Sequence, residues 1–507
     1  MGITVFWRVL GSRRYLWFVW SLLFQVVLVA PTGVDATVKS PLGTIRRLPQ
    51  HRAVAAACPR QYVSFDASSL ACPKAQGLTI LPASYPPRTV LIGYTPDAAF
   101  LEVLYTLIDR NSKRPRPLYI VVLIPRHDAE QAYQDLKPFI QRAEGDHLIV
   151  LTTPSDETLW MQDYMEIGIS MVDGQAKIID LPYTDREGEV IPAAIALSCQ
   201  LDLVSQAAAD TQNVVPDSGD YGGNIEALPG NLLVIGNTMT QGTRRRLREI
   251  LPDMRLVEIN TAWLHTAHVD ELFAVLPHHA PQAACPFAMA YASPKLALEI
   301  IHQHGIQPER DQIGPETLSE ERVTSELPDG AFFSTCLSAS ARFQPLSPKC
   351  QRFIAANHHY NDLIERERRR IDRLLRARHA CPSPTWIALP QLFVPSVAVW
   401  QSEAPWGSEE DHAQALNPNV VNVIALGEDL LIPQQPYRPF SQAIARQLRP
   451  LGTTLVPVDA TFSHFLNGGL HCNTSVIRTC RPALSHLPTA AFGGVTKRSK
   501  ARKHGAR

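Results

Sequence analysis

Residues 224–270 and 419–472 pass through the same succession of local patterns, and this restricts the chain to folds built from repeats. "NIEALPGNLLVIGN" (224–237) reads as two strands turned at Pro-Gly-Asn, a hairpin signal. "QGTRRRLREIL" has helical spacing at Leu247, Ile250 and Leu251; "RLVEIN" is a third strand, and a polar loop then reaches His268 and Asp270. "NVVNVIALGEDLLIP" (419–433) is again a hairpin, turned at Gly-Glu-Asp. "FSQAIARQLRPL" is its helix and "TTLVPVDA" its third strand, and the following loop reaches His471 and Cys472. "YMEIGISMVDGQAKIIDLPY" is a third hairpin of this kind, and "LFAVLP…FAMAYASPKLALEIIHQ" opens a fourth copy. A unit of strand, strand, helix, strand cannot bury a core alone, so the repeats imply a stacked or radial α/β architecture. If rotation relates the copies, equivalent loops converge, and His268, Asp270 and Cys472 share a pocket across about 200 residues.

The remaining chain divides by composition. Arg8, Arg13 and Arg14 precede an uncharged run from Tyr15 to Ala30, and "VDA" (34–36) supplies small residues suited to cleavage. Residues 1–36 therefore read as a secretory signal peptide, with an uncleaved anchor as the rival, and the chain as secreted. Residues 37–87 are rich in Pro, Ala and Arg and read as an irregular leader. From Arg88, "TVLIGYT", "LYIVVLIP" and "HLIVLTT" have the short β-branched runs of buried strands, so 88–485 is the main domain. The stretch 352–380 reads as a long amphipathic surface helix, and 486–507 as a basic disordered tail. A formal net charge of zero gives no pointer to nucleic acid, and a cleaved signal would leave no stable membrane association. An exported chain can keep disulfides, and nine cysteines leave at least one thiol unpaired within it. Cys58 with Cys72 and Cys336 with Cys350 would close short loops.

Four stretches at strand edges carry candidate chemistry: "LWMQDYMEIG" (159–168), "DYGGNIEALPG" (220–230), "HTAHVDELF" (265–273) and "NGGLHCNTSVIR" (467–478). A guanidinium group is planar, cationic and a poor electrophile. Attack at its carbon needs carboxylates that grip the N–H fork, and Asp163 and Asp270 suit that role. It needs a thiolate, for which Cys472 is the candidate, and a histidine to protonate departing ammonia and then activate water. His268 and Asp270 are two positions apart, so on a strand they would face one cavity. Other readings stay open at this level. Asp163 could cap a turn, His268 and Asp270 could be an ordinary polar pair, and Cys472 could bridge to Cys480. A zinc set of His268, His471 and Cys472 matches no familiar ligand spacing.

Together the four stretches resemble the catalytic domain of the protein-arginine deiminases. The motifs are a Trp, two residues, then Asp, Met and Glu as in "WMQDYMEIG"; "GNIE"; "HVDE"; and a Gly-rich turn ending "LHCNT". The resemblance spans about residues 88–485 and implies the pentein fold, a fivefold pseudosymmetric α/β propeller of ββαβ repeats. It implies conversion of peptidyl-arginine to peptidyl-citrulline through a thiouronium on Cys472, with Asp163 and Asp270 binding the guanidinium and His268 as acid and base. Trp160 would wall the slot for the arginine stem, and Arg186 would bind the substrate backbone. A calcium ion is implied at Gln162, Glu166 and Glu226, with carbonyls near Gly222 and Ile225. Tyr164 stands where the family usually has an acidic ligand of a neighbouring calcium site, so that second site is not expected. Nor are the two immunoglobulin-like domains of the animal members, for which the leader is too short. HVDE with a His-Cys turn also suits deiminases or amidinotransferases acting on free arginine, agmatine or other small guanidines. A silent secreted binding protein on the same fold is the remaining alternative. "NTS" (473–475) is a formal glycosylation sequon, which a recessed turn would leave unmodified.

Overall fold

The computed structural model describes residues 72–114, 117–140, 147–155, 158–182, 190–205, 219–306, 313, 330–378, 380–396 and 411–480. The signal segment, the leader before Cys72, the basic tail, Cys58 and Arg186 lie outside the described residues. All described residues fall in one compact unit, Ile45–Arg507. Among them no helix is long and apolar enough to cross a membrane.

The strands in chain order open with β1 (Leu78–Ile80), β2 (Pro87–Gly93), β3 (Tyr119–Pro125) and β4 (Leu148–Thr153), with helices α1 (Ala98–Ser112) and α2 (Ala129–Ile140) between the last three. A one-turn helix α3 (Met161–Tyr164) leads into β5 (Met165–Ser170), β6 (Ala176–Asp180), α4 (Ile191–Cys199) and β7 (Asp202–Ser205). Next come β8 (Ile225–Leu228), β9 (Leu232–Gly236), α5 (Gln241–Ile250) and β10 (Arg255–Ile259). They are followed by β11 (Phe273–Pro277), β12 (Phe287–Ser293), helices α6 (Pro294–His304), α7 (Gly330–Ala341) and α8 (Pro348–Ala377), and β13 (Thr385–Pro390). A small ladder, β14 (Phe393–Val394) with β15 (Gln414–Ala415), precedes β16 (Ile424–Leu426), β17 (Asp429–Pro433), α9 (Arg438–Leu448) and β18 (Thr454–Val458). The short α10 (Thr461–Phe465) and β19 (Thr474–Arg478) end the described chain.

One pairing rule governs this mixed α/β fold. In each unit the first strand runs antiparallel to the second, and the second is parallel to the third across a helical connection. The rule holds for β5-β6-β7, β8-β9-β10, β11-β12-β13 and β16-β17-β18. A fifth unit obeys it with chain ends exchanged: β19 pairs antiparallel with β2, which is parallel to β3. No stretch of sequence contains that unit whole, which is why repeat reading finds only four copies.

Local chemistry explains the units. In the second, the hairpin closes through Gly230 and Asn231, both at positive φ (84° and 57°), a conformation that Gly and Asn adopt at least cost. Helix α9 buries Phe440, Ala443, Ile444 and Leu448, the i, i+3, i+4, i+8 stripe of a helix laid on a sheet. The long α8 is amphipathic as its sequence suggests: Phe353, Tyr360, Ile364, Ile371 and Leu375 are buried, while Arg368 stacks over Tyr291 and Trp386.

Three sequence expectations change. Residues 72–87 are not an irregular leader: β1 pairs antiparallel with the edge of β5, and Cys72 is bonded to Cys480. The hairpin read as starting at Asn419 has its first strand only from Ile424, because residues 419–422 form a turn whose amides are buried. The cysteine pairing also differs. Cys72 bonds to Cys480, not Cys58, because β19 brings the chain's end back to its beginning. Cys336–Cys350 is present as expected, Cys285 pairs with Cys381, and Cys199 is also disulfide-bonded. Among the described residues Cys472 is the free cysteine, and it is buried.

Candidate active site

Each unit enters its first strand through a tight turn, and the residue just before that strand points to a common centre. Asp163 stands two residues before β5, Gly223 two before β8, Asp270 three before β11, Asn422 two before β16 and Cys472 two before β19. Contacts join all five. The backbone N–H of Gly223 donates to Asp163 Oδ1 at 3.3 Å, and Cys472 Sγ lies 3.5 Å from Asp270 Oδ2. Asn422 Nδ2 donates to Asp270 Oδ2 at 3.0 Å, and the N–H of Gln162, beside Asp163, donates to the carbonyl of Cys472 at 3.1 Å. The position shared by the repeats therefore builds the site.

His268 and Asp270 meet there, but not through strand alternation. Val269–Glu271 is a 3-10 turn, preceded by Ala267 at φ 56°. The turn brings His268 Nδ1 to 4.0 Å from Asp270 Oδ1 and 3.8 Å from Asp163 Oδ1. Gly223 permits this packing: a Cβ there would lie 2.4 Å from His268 Nδ1. All four are buried, and among the described residues His268 Nδ1 and Asp270 Oδ1 have no hydrogen-bond partner. Buried polar atoms are normally paired, so these two suit a ligand that brings its own N–H groups and charge. Trp160 is half-buried against the turn at Gly468, where a Cβ would come within 2.1 Å of its ring.

Electrostatics around the thiol are unfavourable to its anion. Burial pushes the Cys472 thiol well up, and Asp270, Asp163 and Glu271 add to this, opposed by the Gly469 N–H. Burial also pushes Glu271 up to about 8. His471 turns Nδ1 to Asp270 Oδ2 at 2.9 Å; burial disfavours its cation, but that bond and the nearby carboxylates raise its pKa overall. A positive group placed between Asp163 and Asp270 would relieve the excess negative charge. The ligating atoms of His268, Asp270 and Cys472 lie within 4.8 Å of one another, whereas the zinc set weighed from sequence used His471, which is turned to Asp270 instead.

The residues of the implied calcium site also come together. Gln162, Glu166, Ile225 and Glu226 line one cavity, and Gly222 packs beside it, where a Cβ would lie 1.9 Å from the Gln162 carbonyl. Gln162 Nε2 donates to Glu166 Oε1 at 2.9 Å. Burial, then repulsion from Glu226, pushes Glu166 well up, and burial pushes Glu226 up to about 7. Two crowded buried carboxylates with amide and carbonyl oxygens fit a hard divalent cation. Arg478 lines the same cavity as a competing positive charge, its NH1 held by the carbonyls of Tyr85 and Ala425. Tyr164 is wholly buried among apolar side chains and offers no second site an acidic ligand. Asn473 is buried with its amide on Ser463, which suits an unmodified sequon.

Asn422 escaped the sequence reading because 419–423 looked like strand. Its signal lay in the repeat: it holds in "NVVNVIAL" the place that Cys472 holds in "LHCNTSVI".

Agmatine deiminase of Enterococcus faecalis is 10% identical with a TM-score of 0.45, covering 81% of this chain and 98% of that one. Rat protein-arginine deiminase type-4 is 22% identical over 410 residues, 75% of this chain and 55% of its own length. Rat type-3 is 27% identical over 355 residues, 63% and 46% of the respective lengths, and human type-1 is 23% identical over 403 residues, 73% and 53%. The chain thus spans about half the length of the curated relatives it matches. The family model described as Protein-arginine deiminase (PAD) covers residues 94–483, which include all five convergent turns, and the chain belongs to that family.

Proposed function

We propose that this chain is a hydrolase of guanidine C–N bonds that converts peptidyl-arginine to peptidyl-citrulline. The observation that carries the reading is the thiol of Cys472 set 3.5 Å from Asp270, beside the unpartnered His268 Nδ1 and Asp270 Oδ1. The arginine guanidinium lies between Asp163 and Asp270 and gives each carboxylate N–H bonds. Its positive charge offsets the carboxylates that oppose ionisation of the thiol. The thiolate attacks the guanidinium carbon. His268 gives a proton to one nitrogen, and the C–N bond breaks to release ammonia and leave an S-alkylthiouronium on Cys472. His268 then takes a proton from water, whose oxygen attacks the same carbon. The C–S bond breaks, the thiolate returns, and the product is the urea group of citrulline.

Peptide specificity rests on family membership at 22–27% identity; in this reading Trp160 would wall the slot for the stem and Arg186 would bind the substrate backbone. One calcium ion at Gln162, Glu166 and Glu226, with the Gly222 and Ile225 carbonyls, belongs to this reading and would stiffen the turn that carries Asp163. A pentein-type fivefold propeller is the arrangement that agrees with five units of one pairing rule. Secretion agrees with the disulfides, which persist outside the cytosol.

The test is mass spectrometry of an arginine peptide blocked at both ends, incubated with the chain in calcium and in chelator. Citrulline formation that is lost in Cys472→Ala supports the reading. Turnover of free arginine or agmatine, with none of the peptide, replaces it by the small-guanidine reading. No turnover of any of them leaves a binding protein.

A further inference from the structure

The side chain of Asn422 makes four hydrogen bonds at the nucleophile. Its Oδ1 accepts from the backbone N–H of His471 at 2.7 Å and of Cys472 at 3.2 Å. Its Nδ2 donates to Asp270 Oδ2 at 3.0 Å and to Cys472 Sγ at 3.1 Å. These bonds use both amide protons and both oxygen lone pairs. Turning the amide over would set oxygen against carboxylate and sulfur, and NH2 against two N–H groups, so the partners dictate its orientation. Asn422 is 1% exposed, and Gly469 makes room for it: a Cβ there would lie 2.4 Å from Oδ1.

We infer that Asn422 is a positioning residue of the active site, clamping the turn that carries Cys472 through Oδ1 and holding the sulfur and Asp270 through Nδ2. Three features argue for this over a packing role. A neutral amide is suited to the place: a cation would pair with Asp270 and compete with the guanidinium, and a carboxylate would repel the thiolate. The bond to sulfur strengthens as charge develops there, because charge-assisted bonds exceed neutral ones. Finally, Asn422 and His471 together occupy Oδ2 of Asp270, which leaves Oδ1 as the unpartnered oxygen.

The inference rests on the proposed deimination for its substrate, but its effect on the thiol can be read without one. Full-length wild type, Asn422→Ala and Asn422→Asp are compared for the rate at which neutral iodoacetamide alkylates Cys472, for kcat and KM on the blocked arginine peptide, and for thermal midpoint. Alkylation should slow by about tenfold in Asn422→Ala and more in Asn422→Asp, and kcat should fall by about 10- to 100-fold with KM within about threefold. A folded Asn422→Ala that alkylates at the wild-type rate overturns the inference. Should that variant not fold, Gly469→Ala displaces the amide while leaving it present, and an unchanged alkylation rate there overturns the inference equally. If wild type turns over no guanidine, the proposed function fails, while the alkylation comparison still decides the role of Asn422.

Discussion

Oδ2 of Asp270 and Sγ of Cys472, 202 positions apart in the chain, stand 3.5 Å from each other. A carboxylate so near a thiol hinders its ionisation, yet the proposed reaction needs that carboxylate for the substrate cation. Asp270→Asn should therefore move two rates in opposite directions. Alkylation of Cys472 by neutral iodoacetamide should quicken, because after burial itself the Asp270 carboxylate is the strongest influence opposing ionisation of the thiol. Deimination of an arginine peptide should fall by about 100-fold or more. Alkylation that slows in a folded Asp270→Asn would contradict this account.

Glu271 gives a pH dependence of stability. Burial holds its carboxyl up at about 8, with the Thr266 hydroxyl opposing and Asp270 and Asp163 reinforcing. A raised folded pKa stabilises the fold while the group is protonated. That contribution is complete below the unfolded value of about 4.3 and is lost as pH climbs through about 8. Thermal midpoints measured from about pH 5 to about pH 8.5 should fall more steeply in wild type than in Glu271→Gln. Parallel curves would show that this carboxyl does not titrate as described.

The Cys72–Cys480 bond ties the segment before β1 to the chain two residues past the end of β19, closing a loop of 408 positions. Long loops lose most unfolded-state entropy when closed, so Cys72→Ser should cost about 2–5 kcal/mol in denaturant unfolding. The site turn at Cys472 would loosen with it, since β19 is its continuation.

Calcium should raise the thermal midpoint more than magnesium does, and chelation should reverse the rise. Glu226→Gln should remove the effect. Arg478→Gln, which takes the competing guanidinium out of the same cavity, should tighten calcium binding measured by titration calorimetry. Unchanged midpoints in wild type with and without calcium would discard the metal.

Gly468→Ala tests the slot wall. Its Cβ would fall 2.1 Å from Trp160 Cζ3, so the indole must move. KM for an arginine peptide should rise by about three- to tenfold, with a smaller change in kcat.

Much of the site is legible in sequence because its parts are local. Turn residues such as Gly230 and Asn231 mark hairpins, alternation marks strands, and "HVDE" puts an imidazole and a carboxylate within one turn. What escaped depends on partners far along the chain. Asn422 looks like strand until its bonds to His471, Cys472 and Asp270 are known. Arg478 looks like the end of a strand until its cavity with Glu226 is known.

Hydrophobic period and turn chemistry act over a few residues, so local sequence specifies the repeated unit, the paired strands and the types of reactive group. Tertiary structure alone decided that β19 and β2 complete a fifth unit from opposite chain ends, that Cys480 is spent on Cys72, and that Cys472 is left free among Asp270, His268 and Asn422. The reason is physical: periodicity records which face of an element is buried, while the choice of partner is made by long-range strand pairing and burial that no local pattern encodes.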